Sequence, residues 1–257
     1  MSRAGIEALS SSLLLARERG EPADAAPLAE ALANADEAYG AQQRVAEALG
    51  WFAGVAPRHW KSGGPGRDQP LTHAPLPPAG VWASPGDARH WPMQHRLVES
   101  EVALRLGRSV DAALATTLDE ASAAALVDAM AVSIEIVDSR WRQGLQAPPL
   151  LRLADLASHA ALVLGEWRPF EPSRDWAVQD CRLVIGTQAP VQRRGTHSCG
   201  SPAFVLADWL RHATARHGTL PAGTVVTTGT WAGAPAAAPG DAVHLEFAGL
   251  GHAAAHF

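Results

Sequence analysis

Lysine is almost missing from this chain: Lys61 is the single one among 21 lysine and arginine residues. Where a fixed positive charge suffices arginine has been used, so the lone ammonium marks either a drifted surface position or a place that needs a compact, tunable charge. Cysteine is nearly as scarce, with Cys181 and Cys199 as the two present. The two thiols could in principle pair, but the rest of the sequence reads as intracellular, where thiols stay reduced, so both read as small buried residues. No apolar run approaches the ~18 residues needed to span a bilayer, and Met1 to Gly5 holds no secretory h-region, so a cytoplasmic protein without membrane contact is expected. Blocks of like charge are also absent, and with a formal net charge of -5 and no basic run, nucleic acid is not an expected partner.

What the chain does have is apolar bulk, 47% of its 257 residues, enough for a sizeable core. Helical spacing runs from Ile6 to Arg19 and again from Asp36 to Leu49, with Gly20, Pro22 and Pro27 between. Residues 1–55 therefore read as a helical N-terminal layer and 56–257 as a larger, strand-rich part. From Gly54 to Trp91 the many Gly and Pro residues exclude regular helix, yet Trp60, Lys61, His73 and Trp82 lie there, which reads as loops and short strands near a site. Val98 to Leu106 alternates as a strand, Asp111 to Met130 reads as one helix, and Ala131 to Val137 as a buried β-branched strand. Later strands are expected at Ala161 to Leu164, Cys181 to Ile185, Val225 to Thr228 and His244 to Phe247, with a helix from Ala203 to His217.

Residues two apart on a strand project from one face, so Glu99 and Glu101 place two carboxylates side by side. Their repulsion turns into binding energy if a hard dication sits between them. Glu135 lies inside the apolar run Ile134-Glu-Ile-Val, where an unpaired carboxylate is costly to bury. If the segment Asp111 to Met130 is a crossover helix, it returns the chain so that Glu135 joins the pair. The competing readings are a solvated strand face for Glu99 and Glu101, and a buried ion pair of Glu135 with Arg140 or Arg142.

These residues carry a resemblance. Asp36-Glu-Ala-Tyr-Gly-Ala-Gln-Gln, Trp60-Lys-Ser-Gly, Val98-Glu-Ser-Glu-Val-Ala-Leu-Arg-Leu-Gly, Ile134-Glu-Ile-Val-Asp-Ser-Arg, Ala154-Asp-Leu-Ala-Ser and Val225-Val-Thr-Thr-Gly-Thr resemble the 2-keto-4-pentenoate hydratase and 4-oxalocrotonate decarboxylase branch of the fumarylacetoacetate hydrolase superfamily. The resemblance implies an α+β fold, with residues 1–55 as a helical cap on a mixed, curved β-roll of residues 56–257, and assembly as a homo-oligomer. It places metal ligands on Glu99, Glu101 and Glu135, for Mg²⁺ or Mn²⁺, and a substrate-facing lysine on Lys61. Two departures stand out: Asp155-Leu-Ala-Ser158 replaces the family's common Asp-Asn-Ala-Ser, and the loop from Pro77 to Ala83 lacks the acid often found there.

The chemistry that follows is enolate chemistry on a small 2-oxo acid, whose keto and carboxylate oxygens a dication chelates and polarises. The reading is a hydratase of a 2-hydroxydienoate, of the kind used in aromatic catabolism. Decarboxylation of an oxo diacid, or C–C hydrolysis of an acylpyruvate, uses the same metal, and a paralogue that binds without turnover is a further alternative. Lys61 is assigned to the substrate carboxylate or enolate oxygen. Ser158 and Thr228 are assigned as hydrogen-bond donors, although a turn hydroxyl and a plain strand residue explain them as well. His73 and His95 are assigned to substrate at the mouth. His197 beside Cys199 invites a thiol nucleophile, but no orienting or oxyanion motif accompanies it.

Overall fold

The computed structural model describes residues 3–257; Met1 and Ser2, part of the stretch read above for a leader, lie outside the described residues. The α-helices there are α1 (Arg3–Arg19), α2 (Ala35–Ala48), α3 (Ala112–Thr116), α4 (Glu120–Ala124), α5 (Pro149–Ala154) and α6 (Leu206–His217). The strands are β1 (His59–Gly63), β2 (Thr72–Pro75), β3 (Val81–Ala83), β4 (Gly86–Asp87), β5 (Leu97–Leu106), β6 (Val127–Val137), β7 (His159–Leu164), β8 (Arg168–Pro169), β9 (Asp180–Ile185), β10 (Val191–Arg194), β11 (Val225–Thr227), β12 (Ala242–Phe247) and β13 (Gly251–His256). No helix among the described residues is long and apolar enough to cross a membrane.

Eight strands make a curled half-barrel in the order β2-β1-β11-β5-β6-β7-β3, with β8 also on β6, and five make a second sheet in the order β10-β9-β12-β13-β4. Both sheets are mixed: β1 with β11, β3 with β7 and β4 with β13 run parallel, and the other pairs antiparallel. Almost every residue of β6 is buried, because one face lines the half-barrel and the other lies under β13. That is why its sequence reads as a continuous apolar run rather than as an alternation. The chain after β7 passes close to β13 at Gly165, where a Cβ would stand 2.4 Å from the His252 carbonyl oxygen, so only glycine fits.

The segment expected as one helix from Asp111 to Met130 is instead two short helices. Asp111 and Asp119 each accept a backbone N–H three residues on, and Ser122 completes a capping box at the second, so α4 restarts rather than continues α3. The link is also no parallel crossover, since β5 and β6 pair antiparallel along their whole length. At the N-terminus, Leu9 and Leu13 of α1 meet Ala38, Ala41 and Val45 of α2 at helical spacing. Their core takes in Trp141 and α5, so the helical layer recruits residues far beyond position 55. Trp141 is fully buried, and its indole N–H donates to the Leu151 carbonyl at 2.9 Å. Trp141→Ala is expected to cost about 3–5 kcal/mol in urea-induced unfolding, the range for emptying a buried tryptophan site; a loss under ~1 kcal/mol would show that this layer contributes little to the fold.

Candidate active site

The register of β5 against β6 sets Glu99 directly opposite Glu135 and Glu101 opposite Ser133. On the next strands Thr227 pairs with Ala103 and Lys61 pairs with Thr227. Because side chains alternate, Lys61, Thr227, Glu101, Glu99, Ser133 and Glu135 all project from one face, the concave face of the half-barrel. One carboxylate oxygen from each of Glu99, Glu101 and Glu135 lies within 4.8 Å of the others. Lys61 Nζ donates to Glu135 Oε1 at 2.5 Å and to the Ala157 carbonyl at 3.2 Å. His159 Nδ1 donates to the same Glu135 oxygen at 3.0 Å, while Thr227 donates to Glu101 and shares a 2.9 Å bond with Ser133.

Burial dominates the electrostatics here. It pushes the Glu99 carboxyl up to about 7, against the pull of Lys61, and raises Glu101 well above the ordinary range with help from Glu135 and Glu99. For Glu135 burial works the same way, but Lys61 and His159 outweigh it and hold this acid below its usual value. Lys61 is the mirror case: burial opposes its charge, and Glu135, Glu99 and Glu101 together keep the ammonium above the ordinary lysine value. One ammonium therefore faces three acids, and Glu135 Oε2 is buried with no hydrogen-bond partner. Oxygen donors at this spacing, short of positive charge and with one oxygen unspent, fit a hard dication such as Mg²⁺.

The segment after α5 completes the wall. Leu156, Ala157 and Ser158 stand in succession at φ of 54°, 50° and 63°, the left-handed region that side chains avoid. This turn aims the Ala157 carbonyl at Lys61 and lets the Ser158 carbonyl accept from Asp138 N–H at 2.8 Å. It leaves the Ser158 hydroxyl and His159 Nε2 buried without partners. His159, which no sequence argument singled out, is also among the residues lining a cavity of about 710 Å³ between the helical layer and the ends of β6 and β7, which the lysine and the three acids do not line.

Other expected site residues lie elsewhere. Thr228 is fully buried and spends its hydroxyl on the Val102 carbonyl at 2.7 Å; its neighbour Thr227 faces the acids instead. His73 is not at the mouth: it pairs with Ser62, whose side chain leaves β1 on the face opposite Lys61, and its ring sits between the Ser62 hydroxyl at 2.9 Å and Asp208 at 3.3 Å. His95 donates its backbone N–H to Asp138 and rests its ring against Gly144. Arg140 does not meet Glu135 but binds Asp155 at 2.6 Å. Both nitrogens of His197 are committed to backbone groups, of Thr228 and Cys199, so no Cys-His pair forms. Thr227 and His159 were legible only from strand pairing, which alternation along one strand does not reveal.

A curled half-barrel of mixed strands with few helices is the fumarylacetoacetate hydrolase fold. The chain belongs to that family, matching the fumarylacetoacetate (FAA) hydrolase C-terminal model over residues 54–257. A 4-oxalocrotonate decarboxylase from Pseudomonas sp is 31% identical over 176 residues, a stretch that covers 66% of this chain and 64% of that relative's length. Among solved structures, the 4-oxalocrotonate decarboxylase from Pseudomonas putida G7, complexed with magnesium and adipate, superposes with a TM-score of 0.82 at 20% identity, covering 100% of this chain and 98% of the other. The 5-carboxymethyl-2-hydroxymuconate delta-isomerase from Mycobacterium smegmatis superposes with a TM-score of 0.53 at 18% identity, covering 79% of this chain and 78% of the other.

A raised carboxylate pKa means that the folded protein holds protons that the unfolded chain, titrating near ~4.3, releases. Metal-free stability is therefore expected to fall as pH rises from about 4.5 through the Glu99 value of about 7. A dication takes over from those protons, so the rise in melting temperature with Mg²⁺ should be larger at pH 8 than at pH 5, read by differential scanning fluorimetry. An equal rise at both values would count against a site built from these acids.

Proposed function

We propose that this chain is a divalent-metal-dependent lyase that acts on a small 2-oxo acid through an enolate, and that it removes CO₂ from a vinylogous 2-oxo diacid. The observation that carries the reading is the meeting of three acids and the only lysine on one buried face. The relative that is 31% identical favours decarboxylation. Hydration of a 2-hydroxydienoate is the second reading, and it uses the same enolate.

Glu99, Glu101 and Glu135 would hold Mg²⁺ or Mn²⁺, and the bound ion supplies a Lewis acid for the keto and carboxylate oxygens of a 2-oxo acid. Lys61, fixed by the Ala157 carbonyl and Glu135, keeps its proton and brings positive charge to where negative charge develops on the substrate oxygen. His159 Nε2 and the Ser158 hydroxyl, both buried without partners, are the polar groups beside Glu135 and Lys61 that could orient the reacting chain. Thr227 and Ser133 hold Glu101 in place from the neighbouring strands.

With Mg²⁺ and a panel of 2-oxo acids, ultraviolet absorbance of the dienol together with CO₂ release should show turnover of an oxo diacid. Lys61→Met and Glu135→Gln are each expected to lower kcat by about 10²–10³-fold, the range for removing one preorganised electrostatic partner. Absorbance change without CO₂ would establish hydration instead, and no change with any substrate would leave a binding protein.

A further inference from the structure

By alternation along β7, His159 belongs on the face turned away from the acids. Leu162 stands opposite Glu135 and Ala161 opposite Ile136, so an unbroken register would set Ala160 opposite Val137 and send His159 to the far side with Ala161. The pairing instead slips between Ile136 and Val137, and Val137 faces His159. An extra residue of this kind re-aims the side chain beside it. Here it swings the imidazole onto the face of Glu135, with Nδ1 3.0 Å from Oε1. The left-handed turn of Leu156, Ala157 and Ser158 delivers the chain to that point, so a strained turn and a bulge in immediate succession end at one hydrogen bond.

Around Glu135 the donors are unevenly shared. Oε1 accepts from both His159 Nδ1 and Lys61 Nζ, while Oε2, equally buried, accepts from nothing. An ionised carboxylate only accepts, so Nδ1 carries the imidazole proton. Burial holds the ring below its ordinary pKa, and His159 therefore brings a donor without a charge. Lys61 alone is a poor clamp on this oxygen, because its ammonium rides on a flexible four-carbon stem and a dication arriving among the acids repels it. A neutral ring, 1% exposed at the start of a strand, feels no such repulsion. Nor is the ring placed to bind the ion itself: among the described residues, the donor atoms that gather are those of Glu99, Glu101 and Glu135.

We propose that His159 is the residue that positions Glu135 for a dication: by keeping Oε1 occupied it fixes the plane of the carboxylate and leaves Oε2 as the atom given to an ion shared with Glu99 and Glu101. The inference rests on the reading of the three acids as a metal seat, and it holds whichever 2-oxo acid is turned over. In this role His159 acts through Glu135, as a positioning residue. Hydrogen-bond partners of metal ligands fix the orientation of those ligands, and their loss typically weakens metal binding by about 10–100-fold.

The test is isothermal titration of the metal-free full chain with Mn²⁺, at one pH above the Glu99 value of about 7, with the melting temperatures of the same metal-free proteins measured beside it. Three variants separate the donor from the ring. His159→Asn keeps an N–H where Nδ1 stands, His159→Gln moves it to where Nε2 stands, and His159→Phe keeps a ring with no donor. The native protein and His159→Asn should bind Mn²⁺ within about threefold of each other, and His159→Gln and His159→Phe about 10–100-fold more weakly. Any other order overturns the positioning role. Affinity that survives His159→Phe, or that His159→Asn loses along with the others as melting temperatures fall together, makes His159 a packing residue. If His159→Phe does not fold, the contrast between His159→Asn and His159→Gln decides alone. A native protein that binds no Mn²⁺ overturns the metal seat and this role with it, whereas a wrong order of variants beside a tight native site strikes the role alone.

Discussion

Two carboxylates set directly opposite each other on buried antiparallel strands repel, and Glu99 and Glu135 stand in that relation with Glu101 two residues along. The sheet tolerates them because Lys61 arrives from β1, three strands away, and because the burial that penalises the acids also strengthens their attraction to the ammonium. The remaining architecture serves this contact. The parallel pairing of β1 with β11 brings Lys61 to the right height, Thr227 bridges the intervening strand, and the left-handed turn at 156–158 closes the ammonium in from outside the sheet. A lysine that meets three acids is still one charge short of neutrality with any two of them ionised, a shortage that a dication would fill.

Alternation along single strands was enough to place Glu99 and Glu101 on one face, and an acid inside Ile134-Glu-Ile-Val was enough to demand a partner for Glu135. The partner's identity was not legible, because it depends on which strands neighbour which. Asp111 to Met130 misled for a related reason: its Ala and Leu content reads as one helix, while Asp119 and Ser122 form a cap that restarts it. The antiparallel return brings Glu135 opposite Glu99, a placement the parallel crossover was meant to provide by another route. His73 was drawn toward the site by being in a Gly- and Pro-rich stretch beside Lys61. Its partner Ser62 leaves β1 on the other face, and a period of two separates the neighbours completely.

The turn at 156–158 shows how a departure from a family pattern can be absorbed. Asparagine tolerates the left-handed region better than leucine does, so Leu156 adds strain at a place already strained by two further residues. What offsets it is burial: Leu156 is 1% exposed and forms part of the cavity wall. The exchange removes an amide from the wall and puts hydrocarbon there, which shifts that stretch from hydrogen bonding toward apolar contact with whatever occupies the cavity.

Asp155 ties these parts together. Its carboxylate fixes Arg140 at the end of β6 and Arg17 on α1, and its own backbone begins the turn that holds Lys61. The helical layer, the strained turn and the end of the strand bearing Glu135 therefore meet at one buried acid. Arg17 of the helical layer and Arg140 beyond β6 thus share a single hydrogen-bond acceptor, Asp155 Oδ1, and loss of that carboxylate would leave two guanidiniums side by side with nothing between them.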